Sequence, residues 1–74
     1  MNQPEQSKGA RKLSPRELEI ILCVADGLKT QQIADKLGIN RDTVESHRHN
    51  IIKATHCNNM PHVIAHCLRS GIIY

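Results

Sequence analysis

The sequence predicts an all-α domain of four short helices, and three observations lead there. Apolar residues recur at helical spacing in four separate stretches, each opened by a residue able to cap a helix. No stretch alternates apolar and polar residues as a half-buried strand would. Between the second and third stretches only Gly38 and Ile39 stand ahead of a capping asparagine, Asn40.

Ser14-Pro15-Arg16-Glu17 opens the first helix. Ser14 can accept from the backbone of Glu17, Glu17 can reach back to Ser14, and the Pro15 ring is pre-set for a first turn. The helix runs to about Ala25 and Asp26-Gly27 ends it, with Leu18, Ile21, Leu22 and Ala25 as the expected buried stripe. Thr30 is the next capping residue, and a short helix to about Leu37 buries Ile33, Ala34 and Leu37. Gly38 supplies a sharp turn, and Asn40 caps a third helix from Arg41 to about Thr55. Two helices joined this tightly, with glycine in the joint, form a helix-turn-helix. His56 to Asn59 is a loop, Asn59 caps a fourth helix, and Pro61 lies in its first turn. That helix buries Val63, Ile64, Cys67 and Leu68 and stops at Gly71.

The 74 residues allow one domain with a thin hydrophobic margin, since the chain has no Phe and no Trp. That domain spans residues 13–74. Residues 1–12 are polar, contain Gly and Pro, and read as a disordered basic arm in which Lys8, Arg11 and Lys12 face only Glu5. No apolar run approaches the roughly 20 residues that cross a membrane, and the N-terminus lacks the apolar stretch of a secretion signal. Cys23, Cys57 and Cys67 are odd in number and without framework spacing, which points to free thiols in a reducing, cytoplasmic setting. A net charge of +3 is only mildly basic and does not by itself establish a nucleic-acid partner.

The third helix is more informative. At about 100° per residue, with Val44 at the centre of the buried face, Ile51 and Thr55 fall within roughly 20° of it. The opposite face collects Asp42, Ser46, His49 and Lys53, flanked by Glu45 and Asn50, with no aliphatic residue among them. His47 and Arg48 lie on the two borders, from which they can reach phosphates on either side of a groove. Base edges in a major groove are read by hydrogen bonds from such short and medium polar side chains, and flanking donors fix the helix on the backbone.

These residues resemble the LuxR-type, or GerE-like, helix-turn-helix family. LSPRELEI at 13–20, Gly27, Ile33-Ala34, Leu37-Gly38-Ile39, Thr43-Val44, His47-Arg48, Asn50-Ile51 and the closing Leu68-Arg69-Ser70-Gly71-Ile72-Ile73 keep the family's order and spacing. The resemblance covers about Leu13 to Ile73. It implies four helices, a bacterial transcription regulator that binds double-stranded DNA through the second and third helices, and a homodimer on DNA formed by the fourth. RNA polymerase is a further candidate partner. By the same resemblance Glu45, Ser46 and His49 read bases, and Thr30, Thr43, His47, Arg48 and Lys53 meet phosphates. The dimer residues it implies are Val63, Ile64, Cys67 and Leu68, divided between core and interface. Members often carry a receiver or ligand-sensing domain ahead of this module; none is visible here, which leaves a free-standing member or a fragment of a longer regulator.

The chain departs from the family pattern in places. Ala54-Thr55-His56 replaces a usual Lys-Leu-Gly, so Thr55 puts a hydroxyl where an aliphatic group packs, and it is expected to bond back to the carbonyl of Ile51. Lys29 stands where many members carry a hydroxyl, leaving Thr30 to cap. Glu45 and His49 replace a cationic pair found in some relatives. A carboxylate in the groove is repelled by phosphates unless it accepts a hydrogen bond, and the cytosine amino group is the donor it can use. Glu45 also stands four residues before His49, the spacing at which helix side chains meet; pairing with Arg41 or Arg48 is the alternative.

Two other functions compete with this reading. His56-Cys57, His62 and His66-Cys67 offer metal ligands, and His62 and His66 share a helical face, so a small zinc-binding domain is one rival. Cys67 lies on the apolar side, however, and the expectation is no cofactor. A second rival is a protein-interaction module that captures a transcription factor through the fourth helix. No nucleophile, base and orienting group converge, so no enzyme is expected.

Overall fold

The computed structural model describes residues 12–74, so the expected arm over residues 1–12 lies, but for Lys12, outside the described residues. Four helices follow in order: α1 (Pro15–Ala25), α2 (Thr30–Leu37), α3 (Arg41–Thr55) and α4 (Met60–Arg69), with no strand among the described residues. α1 starts with the expected reciprocal cap. Ser14 Oγ accepts from the Glu17 N–H at 3.1 Å, and Glu17 Oε1 accepts from the Ser14 N–H at 2.8 Å. This explains how Glu17 is buried without an unsatisfied carboxylate.

The buried face of α1 differs from the expected stripe. Ile20, Ile21 and Cys23 are interior, whereas Leu18 is half-buried, Ala25 is exposed and Leu22 is 45% exposed. Between Leu18 and Ala25 only Glu19 is polar, so spacing cannot choose a stripe there. The choice is made by packing, since α1 must touch α2, α3 and α4 together.

α2 also begins differently. Lys29, not Thr30, is its N-cap, and the Gln32 side chain accepts from the Lys29 N–H at 2.7 Å. A lysine side chain has no acceptor, so the cap is one-sided. Thr30 is the first helical residue. α2 ends at Gly38, which takes the left-handed conformation (φ 69°) that glycine adopts without a Cβ penalty. Asn40 is the N-cap of α3 as expected, although its side chain makes no capping hydrogen bond.

The four helices close over Ile20, Ile21, Ile33, Val44, Ile51, Val63 and Cys67, all essentially inaccessible. The hydroxyl of Thr55 is buried and donates to the Ile51 carbonyl at 2.9 Å, the back-bond expected from its position. His56 then ends α3 in the left-handed region, φ 57°. That conformation costs a residue with a Cβ roughly 1–2 kcal/mol, and glycine would escape it at the cost of a more flexible unfolded chain. His56→Gly is therefore expected to stabilise the domain by about 1 kcal/mol. A urea unfolding curve reads this directly: the midpoint should rise. A fall would mean that the imidazole contributes more than the backbone strain removes.

α4 begins as expected, with Asn59 Oδ1 accepting from the His62 N–H at 2.9 Å and Pro61 in the first turn. None of the helices is long and apolar enough to cross a membrane.

Candidate nucleic-acid interface

α3 is sorted into two faces by its own sequence. Val44, Ile51, Ala54 and Thr55 point into the core. Asp42, Thr43, Glu45, Ser46, His49, Asn50 and Lys53 are exposed, and His47 and Arg48 are half-buried on the borders. Asp42 in the first turn and Lys53 in the last complement the helix dipole. α2 is the helix that packs most extensively on α3, through Ile33 and Ala34, and so sets the angle at which the polar face is presented.

The polar side chains gather around two shallow concavities. Glu45, Ser46, His49 and Asn50 line the first. The second lies between α3 and the start of α4, where Glu45, Arg48, His49 and Ile52 meet Asn59, Met60 and Pro61. Glu45 and His49 border both. Thr43, His47 and Lys53 border neither of them.

Glu45 has a partner on another helix. The Thr30 hydroxyl donates to Glu45 Oε2 at 2.8 Å, linking the first residue of α2 to the outer face of α3. The expected contact with His49, and the alternative with Arg41 or Arg48, do not form. The two partners are 15 residues apart. Helical spacing relates only residues within one helix, so nothing in the pattern pointed to this bond.

The residues expected at a dimer interface separate. Val63 and Cys67 are wholly buried within the chain's own core and have no surface to offer a partner. Ile64 is half-buried and Leu68 is 52% exposed. α4 uses Met60, Val63 and Cys67 to close the core, which turns Leu68 outward. Burial pushes the Cys67 thiol up, with Cys57 nearby adding to the shift, and so disfavours the thiolate that a metal would need. Among the described residues no three His, Cys, Asp or Glu side chains converge as a metal site would require. His62 is engaged instead in the α3–α4 turn, where its Nδ1 accepts from the Asn58 N–H at 3.1 Å.

Comparison with known proteins agrees with this architecture. The family described as "Bacterial regulatory proteins, luxR family" matches residues 11–67. The response regulatory protein YgeK of Escherichia coli (strain K12), whose function is uncharacterized, is 40% identical over 60 residues, which cover 81% of this chain and 41% of that protein. The uncharacterized transcriptional regulatory protein YxjL of Bacillus subtilis (strain 168) is 31% identical over 64 residues, 86% of this chain and 29% of that one. Among solved structures, full-length FixJ from B. japonicum superposes with a TM-score of 0.72 at 27% identity, over 84% of this chain and 30% of that one. The chain thus spans less than half the length of these relatives.

Proposed function

The chain belongs to the luxR family of bacterial regulatory proteins, and we propose that it is a sequence-specific reader of double-stranded DNA that regulates transcription. α3 enters the major groove with Glu45, Ser46 and His49 against base edges. Thr43, His47, Arg48 and Lys53 anchor it on phosphates. Two copies meet through the exposed side of α4, where Ile64 and Leu68 retain surface.

The observation that supports this most is the division of α3. Val44, Ile51 and Ala54 are spent on the core, while an outer face of hydrogen-bonding groups is left open, with Arg48 on one border and Lys53 in the last turn. An ordinary solvated helix needs no such rigid base, but a reading helix does, because a base contact is useful only when its register is fixed.

Separating anchoring from reading tests the assignment. Arg48→Ala and Lys53→Ala should each weaken binding to all duplexes alike and reduce the slope of log affinity against log salt by about one unit, as loss of one phosphate contact requires. Ser46→Ala should leave the slope alone and relax the preference at one base pair. A changed base preference with an intact salt slope in Arg48→Ala would remove Arg48 from the phosphate set.

A further inference from the structure

The bond between Thr30 and Glu45 has a role beyond holding two helices together. Glu45 is exposed and borders both concavities of the outer face. Arg41, one turn before it, and Arg48, one turn after it, would be its natural partners on α3, yet it pairs with neither. Its Oε2 is taken by the Thr30 hydroxyl at 2.8 Å, and its Oε1 has no protein partner among the described residues. Thr30 is fixed in turn by the start of α2, whose Ile33 and Ala34 are buried in the core. A long carboxylate side chain that would otherwise sample many rotamers is thereby tied to the rigid part of the domain.

We infer that Thr30 is a specificity-determining positioning residue, which holds Glu45 Oε2 and so leaves Oε1 as the acceptor for one cytosine amino group in the groove. This rests on the reading of Glu45 as a base contact. It replaces a phosphate contact for Thr30, because a hydroxyl has a single proton and here it goes to the carboxylate. The ordering of Glu45 is then accomplished before DNA arrives, and the correct base pair gains the full benefit of the contact. Without the tether the carboxylate is free to turn to Arg41 or Arg48, and the preference for cytosine weakens although Glu45 is still present.

The test uses the full chain, with binding-site selection from a random duplex pool followed by titration of duplexes that differ at the Glu45-dependent base pair. Thr30→Val keeps the shape and removes the donor, while Thr30→Ser keeps the donor. Thr30 is half-buried and both replacements are of similar size, so each variant should fold, which circular dichroism would check. Thr30→Val should lose about fivefold in discrimination at that one base pair, part of the contribution of a good base contact. Thr30→Ser should keep the wild-type profile. In a Glu45→Ala background Thr30→Val should change nothing further. If Thr30→Val weakens every duplex alike with discrimination intact, Thr30 is a phosphate contact and the inference fails. If Glu45→Ala erases the preference and Thr30→Val leaves it whole, the inference fails while the reading of Glu45 stands. If Glu45→Ala itself leaves the profile unchanged, that reading falls and the inference with it.

Discussion

Ile51→Ala is expected to remove a large share of the domain's stability. Ile51 is wholly buried in the middle of α3, and its carbonyl also receives the Thr55 hydroxyl. Truncating a buried isoleucine costs about 2–5 kcal/mol, because the removed atoms leave a cavity that the neighbours only partly fill. A domain with no aromatic ring in its core has little in reserve: at roughly 0.05–0.15 kcal/mol per residue its whole stability is about 3–10 kcal/mol. Thermal unfolding followed by circular dichroism should therefore show a large drop in midpoint. DNA binding should fall only in proportion to the folded fraction. Ile51→Val, which removes one methylene, should cost about 0.5–1.5 kcal/mol and keep a sharp transition. An unchanged midpoint in Ile51→Ala would mean that α3 is not the pillar of the core.

Leu68→Glu should leave the protomer folded and disable it on DNA. The side chain is about half exposed, so a polar replacement should change stability by no more than about 0.5 kcal/mol. At a two-fold contact each copy presents the same patch to the other, which would set two carboxylates face to face. Affinity for an inverted repeat, with half-site centres about one helical turn apart, should drop by about 100-fold towards that of a single half-site. Affinity for the isolated half-site should not move. Wild-type affinity of Leu68→Glu for the inverted repeat would exclude α4 as the junction. Selection of unrepeated half-sites at full affinity by the unmodified chain would exclude the dimer altogether.

The helix boundaries were the most legible part of the sequence, because they are written in local chemistry. Ser14 with Glu17, Gly38, and Asn59 with Pro61 each act on backbone groups within four residues, and the structure uses each at the expected place. The α2 start was misread because Lys29 has no capping acceptor, and the capping bond comes from Gln32 instead. The inner face of α3 was legible because its aliphatic residues are few and regularly spaced; α1 is apolar nearly all round, and only its neighbours decide which side goes in. Within α4 the same limit applies. Spacing puts Val63, Ile64, Cys67 and Leu68 on one side, but not how far round that side the core extends. The outer face of α3 was legible as a set of residues, whereas the partner of Glu45 was not, since it depends on how α2 crosses α3.

The two-faced construction of α3 has an evolutionary consequence. Positions 45, 46, 49 and 50 are exposed, and substitutions at such positions usually change stability by less than about 0.5 kcal/mol. A lineage carrying duplicated copies of this module can therefore rewrite the outer face one residue at a time, with every intermediate remaining a folded protein. If the outer face reads DNA as proposed, promoter choice can drift and diverge while the scaffold is inherited intact, and new regulatory wiring needs no excursion through unstable ancestors. Position 45 is the one place where that freedom is tied to a second helix: a mutational path that discards the carboxylate there also releases Thr30, and opens α2 to change.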